Sequence, residues 1–371
     1  MNVFSKWTSA QVVSAAILLS AIVSIGDAAA AAKTWSVTAL NSDWNNAANW
    51  TGGLPAAGDD VIIANAVFLP TNQNIANLSI RSLVFDASTI VAMTINGNAI
   101  TLTGSGTALS VDTAAADHTL AVPIVLASDQ SWDVGANRTF VINGVISGSG
   151  RLTKAGNGRL NLLTATNSYA GGTVINAGIL SLGTDGGSNQ NDSGLGRGQV
   201  TINTGGQLRL GGYGGAVVNS RFINNAVELN GGSIFSIDSA QHLQNGTFNV
   251  GVNGGTLFTR YADNKDLFLD SQVTGSGNIT VADGGGGSGG SKVHFTNPTN
   301  TYNGTITVNS SKVQLDDRMA LSAATLNVLA NNALVFGAAA SIADFLHDGS
   351  GLVRAATVVN EHVRAGICQS E

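Results

Sequence analysis

Residues Gly148 to Leu182 read GSGRLTKAGNGRLNLLTATNSYAGGTVINAGILSL, and much of this stretch returns later in the chain. Asn167 to Leu182 aligns without a gap on Asn300 to Leu315. Asn167, Tyr169, Gly171, Asn176 and Leu182 fall on Asn300, Tyr302, Gly304, Asn309 and Leu315, with Ile175 on Val308 and Leu180 on Val313. Upstream, Gly148-Ser149-Gly150 returns as Gly275-Ser276-Gly277. The spacing between copies changes across a glycine run, Ala155 to Gly158 in the first and Ala282 to Ser291 in the second. A unit of this kind cannot bury its apolar face alone, so internal repetition points to stacked units rather than one compact core.

Outward from the repeat, the chain is written in short alternating runs. Val174-Ile175-Asn176, Val200-Thr201-Ile202, Leu208-Arg209-Leu210, Val227-Glu228-Leu229, Ile279-Thr280-Val281 and Ile306-Thr307-Val308 place apolar and polar residues on opposite faces of a strand. Gly205-Gly206, Gly231-Gly232, Gly254-Gly255, Asn143-Gly144 and Asn245-Gly246 punctuate them, as tight turns require. Outside the first 32 residues no segment sustains a helical period, and Ala338 to Leu346 is the one weak helical candidate. A β-sandwich and a parallel β-helix both fit such strands. The long-range repeat favours the helix, as do the recurrent asparagines, which can stack into ladders along an axis. At about 20–25 residues per coil the chain is expected to make about 15 coils and a rod about 70 Å long.

The motif Gly-Ser-Gly-x-Leu-x-Lys-x-Gly-x-Gly-x-Leu-x-Leu, then Asn-x-Tyr-x-Gly-Gly-Thr and Gly-x-Leu-x-Leu, resembles the autotransporter-associated β-strand repeat. Gly148, Gly150, Leu152, Lys154, Gly156, Gly158, Leu160, Leu162, Asn167, Tyr169, Gly171, Gly172, Thr173, Gly178, Leu180 and Leu182 carry the resemblance. The second copy keeps Asn300, Tyr302 and Gly304, but lacks the Lys and one Gly of the pair, and Ser311 stands in place of the Gly before the last strand. The resemblance implies an all-β, right-handed, single-stranded parallel β-helix in a secreted or surface-displayed passenger, and implies no catalytic activity. An autotransporter carries its own barrel, and neither a long series of alternating ~10-residue strands nor a terminal apolar anchor is visible here. The chain is therefore expected to be a barrel-less passenger-like protein or a truncated passenger.

The N-terminus has the form of an export signal: Lys6, an apolar run from Val12 to Ile25, and small residues from Ala28 to Ala32. The run falls short of the ~20 residues that span a bilayer. Residues 1–32 are read as signal peptide and 33–66 as an N-terminal cap. Residues 67–336 are read as β-helix, with repeat copies at 148–182 and 275–315, and 337–371 as a degenerate tail. The cap is aromatic: Trp35, Trp44 and Trp50 cluster before Gly58-Asp59-Asp60, a pattern that resembles segments preceding such repeats in exported bacterial proteins. Large amphipathic rings can cover an end coil.

Composition agrees with many strands and tight turns. Glycine is 47 of 371 residues, against a usual ~7%, and charged residues are 11%, against ~25%. The net charge of −6 and the absence of a basic run argue against nucleic-acid partners. The single cysteine, Cys368, precludes internal disulfides.

Parallel β-helices can house polysaccharide lyases and hydrolases, so paired carboxylates were sought. Asp59-Asp60 and Asp316-Asp317 read as turn residues. Asp263, Asp266 and Asp270, with Arg260 and Tyr261, form the densest polar cluster, either a solvated loop or a ligand site. His118, His242, His294, His347 and His362 are scattered without metal-ligand spacing, and His294 is expected to face solvent. Trp35, Trp44 and Trp50 are either cap residues or sugar-stacking platforms. No catalytic, cofactor-binding or metal-binding residue is assigned. The expected protein is an exported structural or adhesin-like rod with glycans or other cell-surface components as partners. A β-helical lyase or hydrolase centred on Asp263 to Asp270 is the alternative.

Overall fold

The computed structural model describes residues 30–339, apart from 36–38, 40, 65–68, 184–189, 193, 212–219, 238–239, 261–264, 286–289, 318–319, 322 and 330–332. The expected signal segment lies outside the described residues up to residue 29, and the expected tail from residue 340 onward. Among the described residues there is no α-helix, only a short 3-10 turn at Ala47–Asn49. The helical candidate at Ala338 begins in strand Leu334–Ala339, and its remainder lies outside the described residues.

The strands stack into a parallel β-solenoid. Two sheets of twelve strands run its length. A four-stranded sheet carries another side near the N-terminus, and a seven-stranded sheet appears toward the C-terminus. From Val200 to Phe295 each coil contributes one strand to each long sheet and one to the seven-stranded sheet, as in Val200–Asn203, Gly206–Leu210 and Arg221–Ile223. Every pairing is parallel except Trp50–Thr51 on Ala32–Trp35 and an isolated bridge between Asn203 and Gly231.

Alternation within each strand sends one set of side chains into a shared interior. In the first long sheet, Val61, Leu83, Leu109, Trp132, Lys154, Ile175, Ile202, Leu229 and Val250 stack in one column by ladder register. All are apolar except Lys154. Trp132, expected as a rung residue, is fully buried in this column.

The coils are longer than expected and so fewer than fifteen. Leu160 pairs with Leu180, a coil of 20 residues, but Leu180 pairs with Leu208, a coil of 28. The longer coil carries an additional strand, Gln190–Asp192, and the long-sheet ladder is undisturbed because only the strand segments must stay in register.

The asparagine ladder expected from sequence is present at the corner between the long sheets. Asn203 donates to Asn176 at 2.8 Å, Asn230 to Asn203 at 3.3 Å and Asn253 to Asn230 at 3.0 Å. Each amide is both donor and acceptor, so one residue type can repeat along an axis without leaving a group unpaired.

The aromatic cap closes the N-terminal end. Trp35 and Trp44 are fully buried and Trp50 nearly so. Trp50 meets Trp35 edge-on at 4.9 Å and Trp44 at 5.3 Å. Both indole donors that reach the backbone are satisfied, Trp44 Nε1 by Pro70 O and Trp50 Nε1 by Trp44 O. The antiparallel strand Trp50–Thr51 lies along Ala32–Trp35 and takes up part of the edge that the first coil would otherwise expose.

Candidate functional site

In the repeat, the polar motif residues are bonded to backbone of neighbouring coils. Asn167 Oδ1 accepts from Ile146 N–H at 2.7 Å, one coil earlier, while its Nδ2 donates to Gly194 O at 2.9 Å, one coil later. Asn300 does the same between Val273 N–H at 2.6 Å and Ala320 O at 2.7 Å. Both amides are nearly inaccessible. They replace ladder bonds at a corner where the backbone cannot pair with itself.

Tyr169 and Tyr302 are also buried. The Tyr169 hydroxyl meets Thr173 Oγ1 at 2.6 Å, and Thr173 donates to Leu195 O. Tyr302 donates to Gly277 O at 2.8 Å and Thr305 O at 3.1 Å. Burial pushes both phenols well above their ordinary pKa. Gly304 admits the second ring: a Cβ there would lie 2.5 Å from the Tyr302 hydroxyl oxygen.

Lys154 has no counterpart in the second copy, where the aligned strand Ile279–Asp283 places Val281 inward. Its ammonium donates to Ala155 O, Gly156 O and Ala177 O at 2.6, 2.7 and 3.2 Å. Three donors meet three corner carbonyls of two coils. Burial lowers its pKa to about 8, with the Asp133 charge opposing.

The two copies do not occupy the same sides of the solenoid. Leu152–Ala155 and Arg159–Leu162 lie in the first and second long sheets, whereas Ile279–Asp283 and Lys292–Phe295 lie in the second long sheet and the seven-stranded sheet. The motif therefore specifies strand, corner, strand, and not a particular face.

A second cluster lies on the outer face of the seven-stranded sheet. Phe222, His242, Phe268 and His294 occupy successive rungs. Their rings stack at 4.7, 4.4 and 4.1 Å. Asp270 Oδ2 is 2.6 Å from His242 Nδ1, and its Oδ1 accepts from Thr296. His294 is held from both ends, by Asp266 at 3.1 Å and Asp316 at 2.8 Å. Burial would raise the Asp266 carboxyl, but the His294 and Lys292 N–H bonds and nearby positive charge hold it below its ordinary value. Asp270 behaves alike: burial is outweighed by bonds from His242 and Thr296 and by the imidazoles' charge.

Chemically this column is mostly self-satisfied. Phe268 covers one face of His294 and two carboxylates engage its nitrogens, leaving no lone pair for a substrate. His242 keeps one ring nitrogen without a partner among the described residues. The arrangement is an Asp–His dyad, a pair that orients an imidazole for proton transfer once a substrate is within reach. Among the described residues no group of three or more His, Cys, Asp or Glu is placed to hold a metal ion.

Residues 152–182 match a family model described as passenger-associated-transport-repeat. The chain carries a passenger-associated-transport-repeat. No curated protein and no solved structure matches the chain. The matched span holds Lys154, Asn167, Tyr169 and Gly178, the residues whose side chains or missing Cβ build the corners described above. In this chain the matched span is a unit of the solenoid, and Lys154, Asn167 and Tyr169 are bonded within the fold.

The other residues singled out by sequence are placed as follows. Trp35, Trp44 and Trp50 lie in the cap with their rings against one another, so a sugar could reach them only by displacing the cap. Asp266 and Asp270 belong to the histidine column, and Asp263 lies outside the described residues, as do Tyr261, His347, His362 and Cys368. Asp59 accepts from Ala56 N–H, a turn bond, and Asp60 pairs with Arg81 and Ser82. Two expectations are corrected. His294 is 5% exposed and does not face open solvent, because Phe268, Asp266 and Asp316 from adjoining coils cover it. Asp316 and Asp317 lie within strand Lys312–Asp317, not a turn, and Asp316 reaches His294. The column's signal was present as short strands one coil apart, Arg221–Ile223, Gln241–Leu243, Leu267–Leu269 and Lys292–Phe295, each with an aromatic or imidazole ring at the position that faces outward.

Proposed function

We propose that this chain is an exported, passenger-like β-solenoid with a structural or adhesive role, presenting its outer faces to glycans or other cell-surface components. The observation that carries this reading is the passenger-associated repeat built into an uninterrupted parallel ladder, with Asn167, Tyr169 and Lys154 all bonded within the fold. The self-satisfied His294 supports a role for the polar column in holding coils together. The test has two parts. Surface biotinylation of cells producing the full chain should label it, and the purified chain should bind immobilised polysaccharide without shortening it. Retention inside the cell, or release of reducing ends, would overturn the reading.

The dyad of Asp270 and His242 favours one competing reading, a β-helical polysaccharide lyase or hydrolase. In that case Asp270→Asn abolishes turnover of an acidic glycan while the melting profile is retained. Absence of turnover by the wild-type chain across a broad polysaccharide panel removes this alternative.

A further inference from the structure

The outer face of the second long sheet holds a cationic site that no sequence run announces. Asn161, Ser181, Arg209, Phe235 and Phe258 occupy successive rungs of one outward column. Asn161 is fully buried, yet among the described residues neither its amide nitrogen nor its oxygen has a hydrogen-bond partner, and the buried Ser181 hydroxyl has none either. Among the described residues Arg209 makes no ion pair and its buried Nε has no acceptor; its guanidinium carbon lies 5.2 Å from the centre of the Phe235 ring. Buried polar groups are nearly always paired, so three unpaired ones in consecutive rungs call for an explanation.

Among the described residues, two further arginines act on this column. The charged groups that act on Arg209 are Arg159 and Arg260, from other coils, and both repel it. Burial adds to that repulsion, so the guanidinium is held below its ordinary pKa. A half-buried guanidinium beside other positive charge is stabilised when an anion joins it. Its planar fork fits a carboxylate or sulfate oxyanion.

Beside the column runs a groove of about 390 Å³. Its floor is the glycine corner at Gly205-Gly206 and Gly231-Gly232, where backbone is bare, and Gln207, Ser233 and Phe258 line its side. Gln207 and Ser233 precede Arg209 and Phe235 by two residues on the same strands, so groove and cationic column share a face. Polar amides and hydroxyls, an aromatic edge and a bare floor suit sugar rings, and the groove runs across four adjoining coils, from Gly178 to Thr256, spaced ~4.8 Å apart.

We propose that this face binds an acidic polysaccharide, the groove seating its sugar rings and Arg209 taking a carboxylate or sulfate of the chain. The site deepens the adhesive reading and rests on it. Polygalacturonate supplies the carboxylated probe, dextran sulfate the sulfated one and dextran the neutral control, each titrated calorimetrically into the full chain. At least one polyanion is expected to bind well above dextran. Arg209→Gln is expected to weaken it by about tenfold or more, the loss of one charge-assisted contact. Gln207→Glu, which sets a carboxylate beside Arg209, should weaken it comparably. Because each substitution could disturb the sheet, melting profiles accompany both. Arg151→Gln removes an exposed positive charge paired with Asp129 elsewhere and should change binding less than about twofold.

If Arg151→Gln weakens binding as much as Arg209→Gln, the attraction is diffuse and the site is wrong. Binding that ignores both Arg209 and Gln207 sinks this site but leaves the adhesive reading standing. No glycan binding at all sinks both. Tighter binding of duplex DNA than of either polyanion overturns the assignment to a polysaccharide.

Discussion

Asn300 repeats at its own coil what Asn167 does in the first copy: each accepts an N–H from the coil before and donates to a carbonyl of the coil after. Two backbone groups at a corner depend on one side chain in each case. Truncating that side chain leaves both buried groups unpaired, and each such group costs about 1–3 kcal/mol.

Asn167→Ala is therefore expected to destabilise the solenoid by about 2–4 kcal/mol, with faster amide exchange at Ile146. Asn300→Ala should produce the same local opening at Val273. Hydrogen exchange on the two variants checks this. Unchanged protection at Ile146 and Val273 would show that the asparagine bridges are dispensable.

Lys154 ties pH to stability in the alkaline range. Its amine titrates at about 8 when folded and at 10.5 when free. Between those values the unfolded chain holds the extra proton, so this group's contribution rises with pH across the window, by about 3 kcal/mol at most. Below about 8 both states are charged and the dependence ends. Lys154→Met strips three carbonyls of their donor and should melt lower, with the alkaline slope flattened. Parallel slopes for the two proteins from pH 8 to 10.5 would contradict this.

His118 gives the opposite end of the scale. It is 1% exposed, stacked on Phe85 at 4.7 Å, and among the described residues neither ring nitrogen makes a well-formed hydrogen bond, the Thr89 backbone being only a weak partner. Burial lowers its pKa to about 4, against the opposing pull of Asp117 and the Thr89 backbone. As pH falls from about 6.5 to about 4 the unfolded chain takes up a proton that the folded chain refuses, so stability is lost across that window, by about 3 kcal/mol. His118→Phe should fold at neutral pH without loss and resist acid better. Urea midpoints at pH 7 and pH 4.5 decide the matter.

Gly178 has φ of +63°, and a Cβ there would lie 2.4 Å from Gly158 O and 2.5 Å from Gly156 O. Gly53 has φ of +85° with nothing within 4 Å of the same atom. Gly53→Ala should cost only the left-handed backbone, about 1–2 kcal/mol. Gly178→Ala should cost a further ~1–3 kcal/mol from overpacking. Equal costs in thermal melts would mean that the corner can move apart.

Much of the architecture was legible because it is periodic. Alternating strands, the Asn-rich corners and the tryptophan cap all follow from local pattern, and the repeat of Asn167-x-Tyr169 at Asn300-x-Tyr302 reports the stacking directly. The number of coils was not legible, because the span between Leu182 and Val200 adds a strand, Gln190–Asp192, to the coil and lengthens it while the long sheets stay in register. Lys154 could be read as a motif position but not as a buried cation, since strand alternation alone does not say that its inward column is otherwise apolar.

Contacts across coils lay beyond the sequence for a different reason. His242 and His294 look scattered along the chain, and so do Arg159, Arg209 and Arg260. Residues 20 to 28 apart become neighbours only when the ladder is wound, and a one-residue shift in register would send any of them to the other face. Sequence by itself determined the strand-and-turn grammar, the cap and the passenger-associated repeat, because these are written in local spacing. Only the tertiary structure decided which side chains share a rung, and so it alone brought together the imidazole–carboxylate column and the unpaired guanidinium of Arg209.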